Sequence, residues 1–371
     1  MKVTCDREAL LAAFQTAAAV VPSRSPKPIL QNIKLEVSDA GAILLATDLE
    51  VGIRLQVAGI QPEVPGSAIL PLSRFGSILR ENSDATLRLE ADGEATIVRG
   101  DRSEFRLPAE NPQEFPTVAD FTDKAFHELS ARLLRELIRR TIFATDNESS
   151  RYALGGVLLE MGPEKIIGVG TDGRRLAKME VPARSEGGHQ SGDSMTIVPT
   201  KAMQLIERAL SDGDAEIQLA ARTNEILVRS PRATIYSRLV EGRFPKWRDV
   251  FPQRTGVSRI ELTVGPLHSA VRQAAIVTSE ESRGVDFSFE AGLLVLSGRV
   301  ADVGQSRVEL PIAYDGPTIS ITLDPRYVSD FLKVLDPEKV VTIELKDTES
   351  AAVCTTDDGY GYVIMPLARD H

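Results

Sequence analysis

The chain has 371 residues, 42% of them hydrophobic and 26% charged. This is ordinary globular composition and excludes a disordered, collagen-like or disulfide-scaffold protein. At about 100–200 residues per domain the length calls for two to four domains. Lys and Arg number 43 against 53 Asp and Glu, a net charge of −10, which taken as a whole argues against a phosphate-rich partner.

The first predicted element is a strand from Lys2 that runs into an amphipathic helix over 6–20, with Asp6 in its first turn. This stretch has an early Lys and apolar residues, but Asp6, Arg7 and Glu8 interrupt it, so it is a poor signal peptide. A second strand and helix follow in SAILPLSRFGSILREN from Ser67, with the helix over 73–81. After them come the alternating run ATLRLEADGEATIVRG and the closing triplet Glu114-Phe115-Pro116. The same order then returns. FHELSARLLRELIRRTIFAT from Phe126 gives a helix over 130–143 with Ser130 as N-cap. MTIVPTKAMQLIERAL from Met195 gives a helix over 200–210, then AEIQLAARTNEILVRS and Arg243-Phe244-Pro245. The third copy opens at Glu261 with ELTVGPLHSAVRQAAIVTS, where Gly265-Pro266 places Pro at N1 of a helix over 265–277. ISITLDPRYVSDFLKVL from Ile319 adds a helix over 325–335 before the alternating VVTIELKDTESAAVCTT.

Leu10, Leu134 and Leu267 occupy one position of this repeat, and Phe14, Ile138 and Val271 another. The reading is three related α+β domains, 1–124, 125–255 and 256–371. Each has two helices and about eight strands, with antiparallel sheet and the helices on one side. The period is too long for a solenoid. No apolar run reaches the roughly 18 residues of a membrane-spanning helix. Cys5 and Cys354 stand at opposite ends, without metal spacing or a disulfide framework, so a reducing, cytoplasmic location is expected.

The charges are not evenly spread. Five of the six predicted helices are net basic, and the most basic, 130–143, carries Arg132, Arg135, Arg139 and Arg140 against Glu136. The rest of the chain is therefore more acidic than the whole. A phosphate partner fits if the helices share a surface, although Lys and Arg also serve simply as good helix formers.

Gly168-Val-Gly170-Thr-Asp-Gly173 matches the dinucleotide fingerprint, but RRLAKMEVPAR after it reads as a strand. A hairpin turn at Thr171-Asp172-Gly173 is the better reading. His127, His189, His268 and His371 show no paired metal spacing and are expected at the surface. No nucleophile motif or phosphate-binding lysine loop occurs, so no cofactor, metal or catalytic residue is expected.

Three α+β repeats with basic helices, together with PILQNIKLE, TDLEVGI, RYALGGVLLE, TDGRRLA, LVEGRFPKW and the terminal YVIMPL, resemble the bacterial sliding clamps, the beta subunits of DNA polymerase III. The resemblance spans the whole chain. It implies a head-to-tail dimeric ring threaded by duplex DNA, with helices lining the hole. It also implies a processivity factor that tethers the catalytic subunit of DNA polymerase III, other polymerases and repair proteins. A clamp loader would open it, using ATP that the clamp does not hydrolyse. No membrane is involved.

The DNA-side residues so implied are Arg24, Arg80, Arg151, Tyr152 and Lys201, with Arg74 nearby. A hydrophobic peptide-binding groove would draw on Leu154, then on Thr171, Gly173, Arg174, Arg175 and Leu176. Pro245, Val250 and Tyr327 would join it, with the C-terminal Val363, Ile364, Met365, Pro366 and Leu367. Val363 and Met365 are expected to point inward, and Ile364 and Leu367 outward. Arg174 stands where the family commonly has His, and Ala368–His371 extends past the usual end. Ring closure is expected between Gly304–Leu310 and Arg102–Leu107 of the other copy. Phe105 and Leu107 would pack near Ile276 and Val277, with Arg102, Glu104, Arg106, Arg307 and Glu309 as rim charges. The alternatives are a repeat adaptor that binds protein only, and a nucleotide-dependent enzyme built on the GVGTDG segment.

Overall fold

The computed structural model describes residues 1–146, 148, 153–191, 195–210, 213–251, 255–279 and 283–368. Arg151, Tyr152 and Arg369–His371 lie outside the described residues. Six α-helices occur among those described: α1 (Arg7–Ala18), α2 (Leu72–Glu81), α3 (Ala131–Thr141), α4 (Thr200–Ala209), α5 (Val264–Ala274) and α6 (Pro325–Lys333). They fall two to each sequence repeat.

The helix starts show a shared device. Asp6 Oδ1 accepts the Ala9 amide at 2.8 Å, Ser130 Oγ the Leu133 amide at 3.4 Å, and Asp324 Oδ1 the Arg326 amide at 2.9 Å. The first free amides also find backbone acceptors. Arg7 donates to Ala85 O (3.0 Å), Ala131 to Ala215 O (2.8 Å) and Val264 to Lys339 O (2.9 Å). In each repeat the chain just before a neighbouring strand thus satisfies donors that a helix leaves orphaned. This explains one departure from expectation. With Val264 and Gly265 both bonded to the 337–339 segment, α5 begins two residues ahead of Pro266, which sits at N3 and not at N1.

The described residues form two compact units. The first holds Met1–Arg135, Met161–Glu164 and Pro182–Val240. Its larger sheet has nine strands in the order Arg184–Glu186, Phe126–Ser130, Glu216–Ala221, Glu225–Arg229, Ala233–Arg238, Val51–Val57, Gly41–Thr47, Asn32–Ser38 and Gly66–Pro71. Its smaller sheet runs Ile60–Val64, Lys2–Asp6, Thr86–Ala91, Ala95–Arg99, Glu104–Pro108. Helices α1 and α2 pack through Phe14 and Phe75, whose ring centroids are 5.2 Å apart. Gly76 permits the approach, since a Cβ there would lie 3.3 Å from the Phe14 ring.

The second unit holds Glu136–Glu160, Lys165–Val181 and Glu241–His371. It holds seven strands of an eight-stranded sheet, in the order Gly156–Met161, Lys165–Thr171, Arg175–Pro182, Gly361–Ile364, Ala352–Thr355, Val340–Leu345, Ser258–Thr263, and a four-stranded sheet in the order Gly304–Pro311, Leu293–Val300, Val285–Glu290, Ile319–Leu323. Three sequence repeats give two units because sheets cross repeat boundaries. Val51–Val57 of the first repeat pairs antiparallel with Ala233–Arg238 of the second. Arg175–Pro182 of the second pairs antiparallel with Gly361–Ile364 of the third.

The Gly168–Gly173 segment is strand, turn and strand, with Gly173 at φ +87°. Gly168 and Gly170 serve packing. Added Cβ atoms would meet Leu137 Cδ2 at 2.4 Å and Thr141 O at 2.2 Å, so α3 could not lie so close to this strand with any larger residue. Cys5 and Cys354 are free and buried, and burial pushes both thiols up to about 12. The histidine expectation fails for two of the four. His127 is 0% and His189 8% exposed, because their rings bond to each other and to backbone, which removes the cost of burying them. His268 is half-buried and bonds Ser329 Oγ at 2.9 Å.

Candidate peptide groove and basic helix faces

The groove candidates gather in the second unit round one turn. Asp172 Oδ1 accepts the amides of Arg174 and Arg175, both at 2.9 Å, and Thr171 Oγ1 donates to Arg175 O at 2.6 Å. This Asx-type turn fixes where the Arg175 side chain leaves the strand. The guanidinium then makes one contact in each direction. Its Nε donates to Asp172 Oδ2 at 3.0 Å, Nη1 to Asp330 Oδ2 of α6 at 2.7 Å, and Nη2 to Phe143 O at 2.7 Å. The Tyr327 ring lies 4.4 Å and the Phe143 ring 5.5 Å from its Cζ. Burial works against this cation, but Tyr362, Asp330 and Asp172 outweigh it and raise its pKa further. Arg175 therefore ties three elements together as a permanent charge.

The C-terminal segment is held beside this turn. Met365 N donates to Arg174 O at 2.8 Å and Leu367 N to Thr322 O at 2.9 Å. Tyr362 stacks on Phe331 of α6 with centroids 4.7 Å apart, and its hydroxyl donates to Tyr327 O at 3.0 Å. The 241–251 segment reaches the same strand, since a Cβ on Gly361 would lie 2.9 Å from the Phe251 ring. Trp247 anchors that segment. Its Nε1 donates to Glu160 Oε1 at 2.9 Å, and the Arg248 guanidinium covers its ring at 4.4 Å.

The expected inward and outward pattern of the C-terminus is corrected. Val363 and Ile364 are both 1% exposed, while Met365 is 46% exposed. The strand ends at Ile364, is interior to its sheet between Arg175–Pro182 and Ala352–Thr355, and has all four residues buried, the pattern of a strand packed on both faces rather than an alternating one. Leu154, Thr171 and Leu176 are buried too. The surface on offer is Met365 with partly exposed Pro366, Leu367, Pro245, Val250 and Tyr327, bordered by exposed Gly173 and Arg174.

The DNA-side candidates that are described lie on exposed positions. Arg24 is in the loop after α1, and Arg74 and Arg80 are on α2. Lys201 on α4 is not a free charge, because its Nζ is 2.5 Å from Asp48 Oδ2 and 3.4 Å from Val20 O. Helix α3 carries a further basic stripe. Arg132, Arg135 and Arg139 lie on one side of α3 at i, i+3 and i+7, opposite buried Leu134, Leu137 and Ile138. Arg132 and Arg139 are exposed, and Arg135 Nε is buried without a hydrogen-bond partner. Arg140 is spent within the fold on Glu136 (2.8 Å) and Asp358 (2.5 Å). The spacing 132, 135, 139 was visible in the sequence, but the pairing that removes Arg140 was not.

Glu104–Pro108 and Gly304–Pro311 are each an edge strand of their sheet. Beside them Phe105 is 37% and Ile276 77% exposed. Val277 is partly buried and Arg102 and Arg106 are exposed. Leu107 was expected to face a partner, but it is 6% exposed and belongs to the core of its own sheet. Three of the five expected rim charges are engaged within the chain, Glu104 with Arg99 at 2.7 Å and Arg307 with Glu309 at 2.8 Å.

Comparison with known proteins assigns the family. The N-terminal, central and C-terminal domains of the DNA polymerase III beta subunit match residues 1–119, 128–246 and 248–368. The chain belongs to the bacterial beta sliding clamp family. The beta sliding clamp of Pseudomonas putida is 32% identical, with 99% of this chain aligned to 100% of that one. The beta sliding clamp of Escherichia coli is 30% identical, with coverage of 99% and 100%. Among solved structures, the DNA polymerase III beta subunit of Pseudomonas aeruginosa superposes with a TM-score of 0.89 at 29% identity, covering 99% of this chain and 100% of its own. A sliding clamp from the same organism bound to griselimycin gives 0.92 at 29% identity over 100% of both chains. The three-domain α+β clamp fold expected from the repeats is thus the fold of this chain, and its function is that of a DNA sliding clamp. Clamps of this family are dimeric rings that bind DNA, polymerase and other partners.

Proposed function

We propose that this chain, with clamp domains 1–124, 125–255 and 256–371, closes a head-to-tail ring through the edge strands Glu104–Pro108 and Gly304–Pro311 and works on DNA in the cytoplasm. Exposed cations of its helices would face the duplex, and the groove beside Arg175 would take partner peptides. It would perform no chemistry itself, leaving ATP hydrolysis to the loader.

One observation carries ring closure. Within the chain the same joint occurs twice, between the fourth strand of one repeat and the last strand of the next: Val51–Val57 with Ala233–Arg238, and Arg175–Pro182 with Gly361–Ile364. The fourth strand of the third repeat is Gly304–Pro311, and the last strand of the first is Glu104–Pro108. These are two halves of a third joint, and both are edges in the single chain. Unpaired edges seek partners, and two such joints close a two-chain ring. Burial of Phe105 against Ile276 adds apolar area. Rim charges already paired within the chain contribute at most about 1 kcal/mol each.

Sedimentation tests this. Phe105→Ala with Ile276→Ala should yield monomers at nanomolar concentration, while Glu104→Arg alone leaves the dimer. A double variant that stays dimeric would overturn the interface. Native mass measurement with circular and linear DNA separates a clamp from a protein-only adaptor, because a clamp is retained on closed circles and lost from linear ends.

On the DNA side, phosphate attraction needs no base contact. Arg24, Arg74, Arg80, Lys201 and the α3 stripe Arg132, Arg135, Arg139 supply it, and Arg151 and Tyr152 remain candidates from the family resemblance. Each neutralised phosphate contact should lower the log–log salt slope of binding by about 0.9, equally for unrelated duplexes.

A further inference from the structure

His127 and His189 lie in the first unit, 0% and 8% exposed. Their Nδ1 atoms are 2.7 Å apart, so one must carry hydrogen and the other must not. The outer nitrogens decide which. His127 Nε2 is 2.7 Å from Gly162 O, a pure acceptor, so His127 is protonated at Nε2 and bare at Nδ1. Ala221 N donates to His189 Nε2 at 3.0 Å, so that nitrogen is bare and His189 Nδ1–H donates to His127. One neutral arrangement satisfies every donor and acceptor. A further proton has no place in it. At His127 Nδ1 it would meet an N–H at 2.7 Å. At His189 Nε2 it would reach Ala221 O at 3.2 Å only by facing the Ala221 N–H.

The pair fastens an edge. Arg184–Glu186 is a three-residue strand bonded to Phe126–Glu128. The chain then turns back through Gly187 and Gly188, both at positive φ. Ser185 Oγ donates to His189 O at 2.5 Å, and Ser191 exchanges hydrogen bonds with the Met161 backbone at 3.1 and 2.7 Å. Charged residues on the surrounding elements are Asp123, Lys124, Glu128, Glu164, Arg184, Glu186, Glu216, Arg222 and Glu225. Arg184 pairs with Glu128 and Glu186, and Arg222 with Asp123 and Glu225. Among the described residues none makes an ion pair with either ring, so no carboxylate stands by to stabilise an imidazolium.

We propose that the neutral His127–His189 pair is a latch that holds the Arg184–Ser191 segment on the edge of the nine-stranded sheet, and that proton uptake releases it. Burial, with a smaller contribution from His189, lowers the His127 pKa. The released state titrates near the ordinary histidine value of about 6.5. The open state therefore binds more protons as pH falls below about 6.5. Through His127 the latch weakens by up to about tenfold per pH unit, until the closed state titrates as well.

Hydrogen exchange on the full chain at pH 7.5 and 5.5, corrected for intrinsic rates, tests this. Segments 126–130 and 184–191 should lose several-fold and up to about tenfold protection at the lower pH while α1 and α2 do not. The variant His127→Phe with His189→Leu removes both titratable rings but leaves Gly162 O and Ala221 N without their ring partners, so it should lose some protection at pH 7.5 and show no acid response. An acid response absent from the natural chain, or kept in the variant, overturns the latch. Should the variant fail to fold, nitrogen-15 spectra of the natural chain decide. They must show His127 protonated at Nε2 and His189 at Nδ1 at pH 7.5. Any other tautomer pair, or an ordinary midpoint near 6.5 for His127, overturns the proposal.

Discussion

The turns at Thr47–Val51 and Thr171–Arg175 are built to one plan. In each, the threonine hydroxyl donates to the carbonyl four residues on, from Thr47 to Val51 at 2.9 Å and from Thr171 to Arg175 at 2.6 Å. In each, the aspartate accepts two following amides, and the third residue has positive φ, Leu49 at +78° and Gly173 at +87°. The fourth carbonyl then receives the chain of the next repeat, Glu50 O from Arg238 N and Arg174 O from Met365 N, both at 2.8 Å. The difference begins one residue later. Val51 is 3% exposed and fills a core, whereas Arg175 ties together Asp172, Asp330 and Phe143. Repetition preserves the joint because backbone hydrogen bonding demands it. Side chains at and after the turn decide whether the joint is only a seam or also a groove.

The largest effect should follow from Arg175→Ala. It strands Asp172 and opens the space between Tyr327 and Phe143. Loss of one partner from a buried pair costs about 3–5 kcal/mol, and the 43% exposure of Asp330 reduces this to about 2–3. Urea unfolding followed by Trp247, the single tryptophan, should show it, and a Leu- and Phe-containing clamp-binding peptide should lose at least tenfold in fluorescence anisotropy. Val51→Ala should cost stability without touching peptide binding. Equal peptide loss in both variants would break the contrast.

Met365→Ala sharpens it. At 46% exposure this side chain does little for the fold, and its shape adapts to several partners. Burying it under a peptide is worth about 1–2 kcal/mol, so affinity should fall about five- to thirtyfold with unfolding unchanged. Arg238→Ala, at the matching position of the other joint, should alter neither by more than about 0.5 kcal/mol. Peptide binding that survives Met365→Ala would place the groove elsewhere.

The third residue of each turn gives opposite signs. Gly173 has nothing within 4 Å of an added Cβ, so Gly173→Ala isolates the left-handed backbone and should cost about 1 kcal/mol. Leu49 already bears that strain, so Leu49→Gly should be neutral or stabilising by up to about 1 kcal/mol. Chemical denaturation of both variants checks the pair, and two changes of the same sign would contradict a shared turn geometry.

The repeat, the six helices and the hairpin at Gly173 were legible because each rests on local pattern: stripes at helical spacing, alternation, and a turn-forming Thr-Asp-Gly. What was not legible came from partners distant in sequence. Ile364 reads as an outward residue of an alternating strand, yet it is buried in a strand whose partner Arg175–Pro182 is distant in sequence. Leu107 reads as an interface residue and is core. His127 and His189 are 62 residues apart and carry no motif. Arg175 could be named from the family resemblance, but its carboxylate on α6 is 155 positions away. The sequence-based boundaries of α5 missed its start because the 337–339 backbone, not Pro266, sets it.

The smallest effect concerns the aspartates of the two turns. Asp172 spends its second oxygen on Arg175, while Asp48 spends its own on Lys201, a candidate for DNA contact. Asp48→Asn keeps an oxygen for the Glu50 and Val51 amides, so the turn should survive. It removes the charge that holds Lys201 and should leave the ammonium available to phosphate. Lys201 is half-exposed and Asp48 is 15% exposed, and a partly solvated pair of this kind is worth about 1 kcal/mol, so stability should change little. DNA affinity at low salt should rise by a factor of about two to five, with a salt slope steeper by up to about 0.9. Lys201→Ala should shift both quantities the other way, and in the Lys201→Ala background Asp48→Asn should lose its effect beyond the change in net charge. Equal gains with and without Lys201 would mean that Asp48 acts only through long-range charge. The first turn would then be a structural seam with no link to DNA.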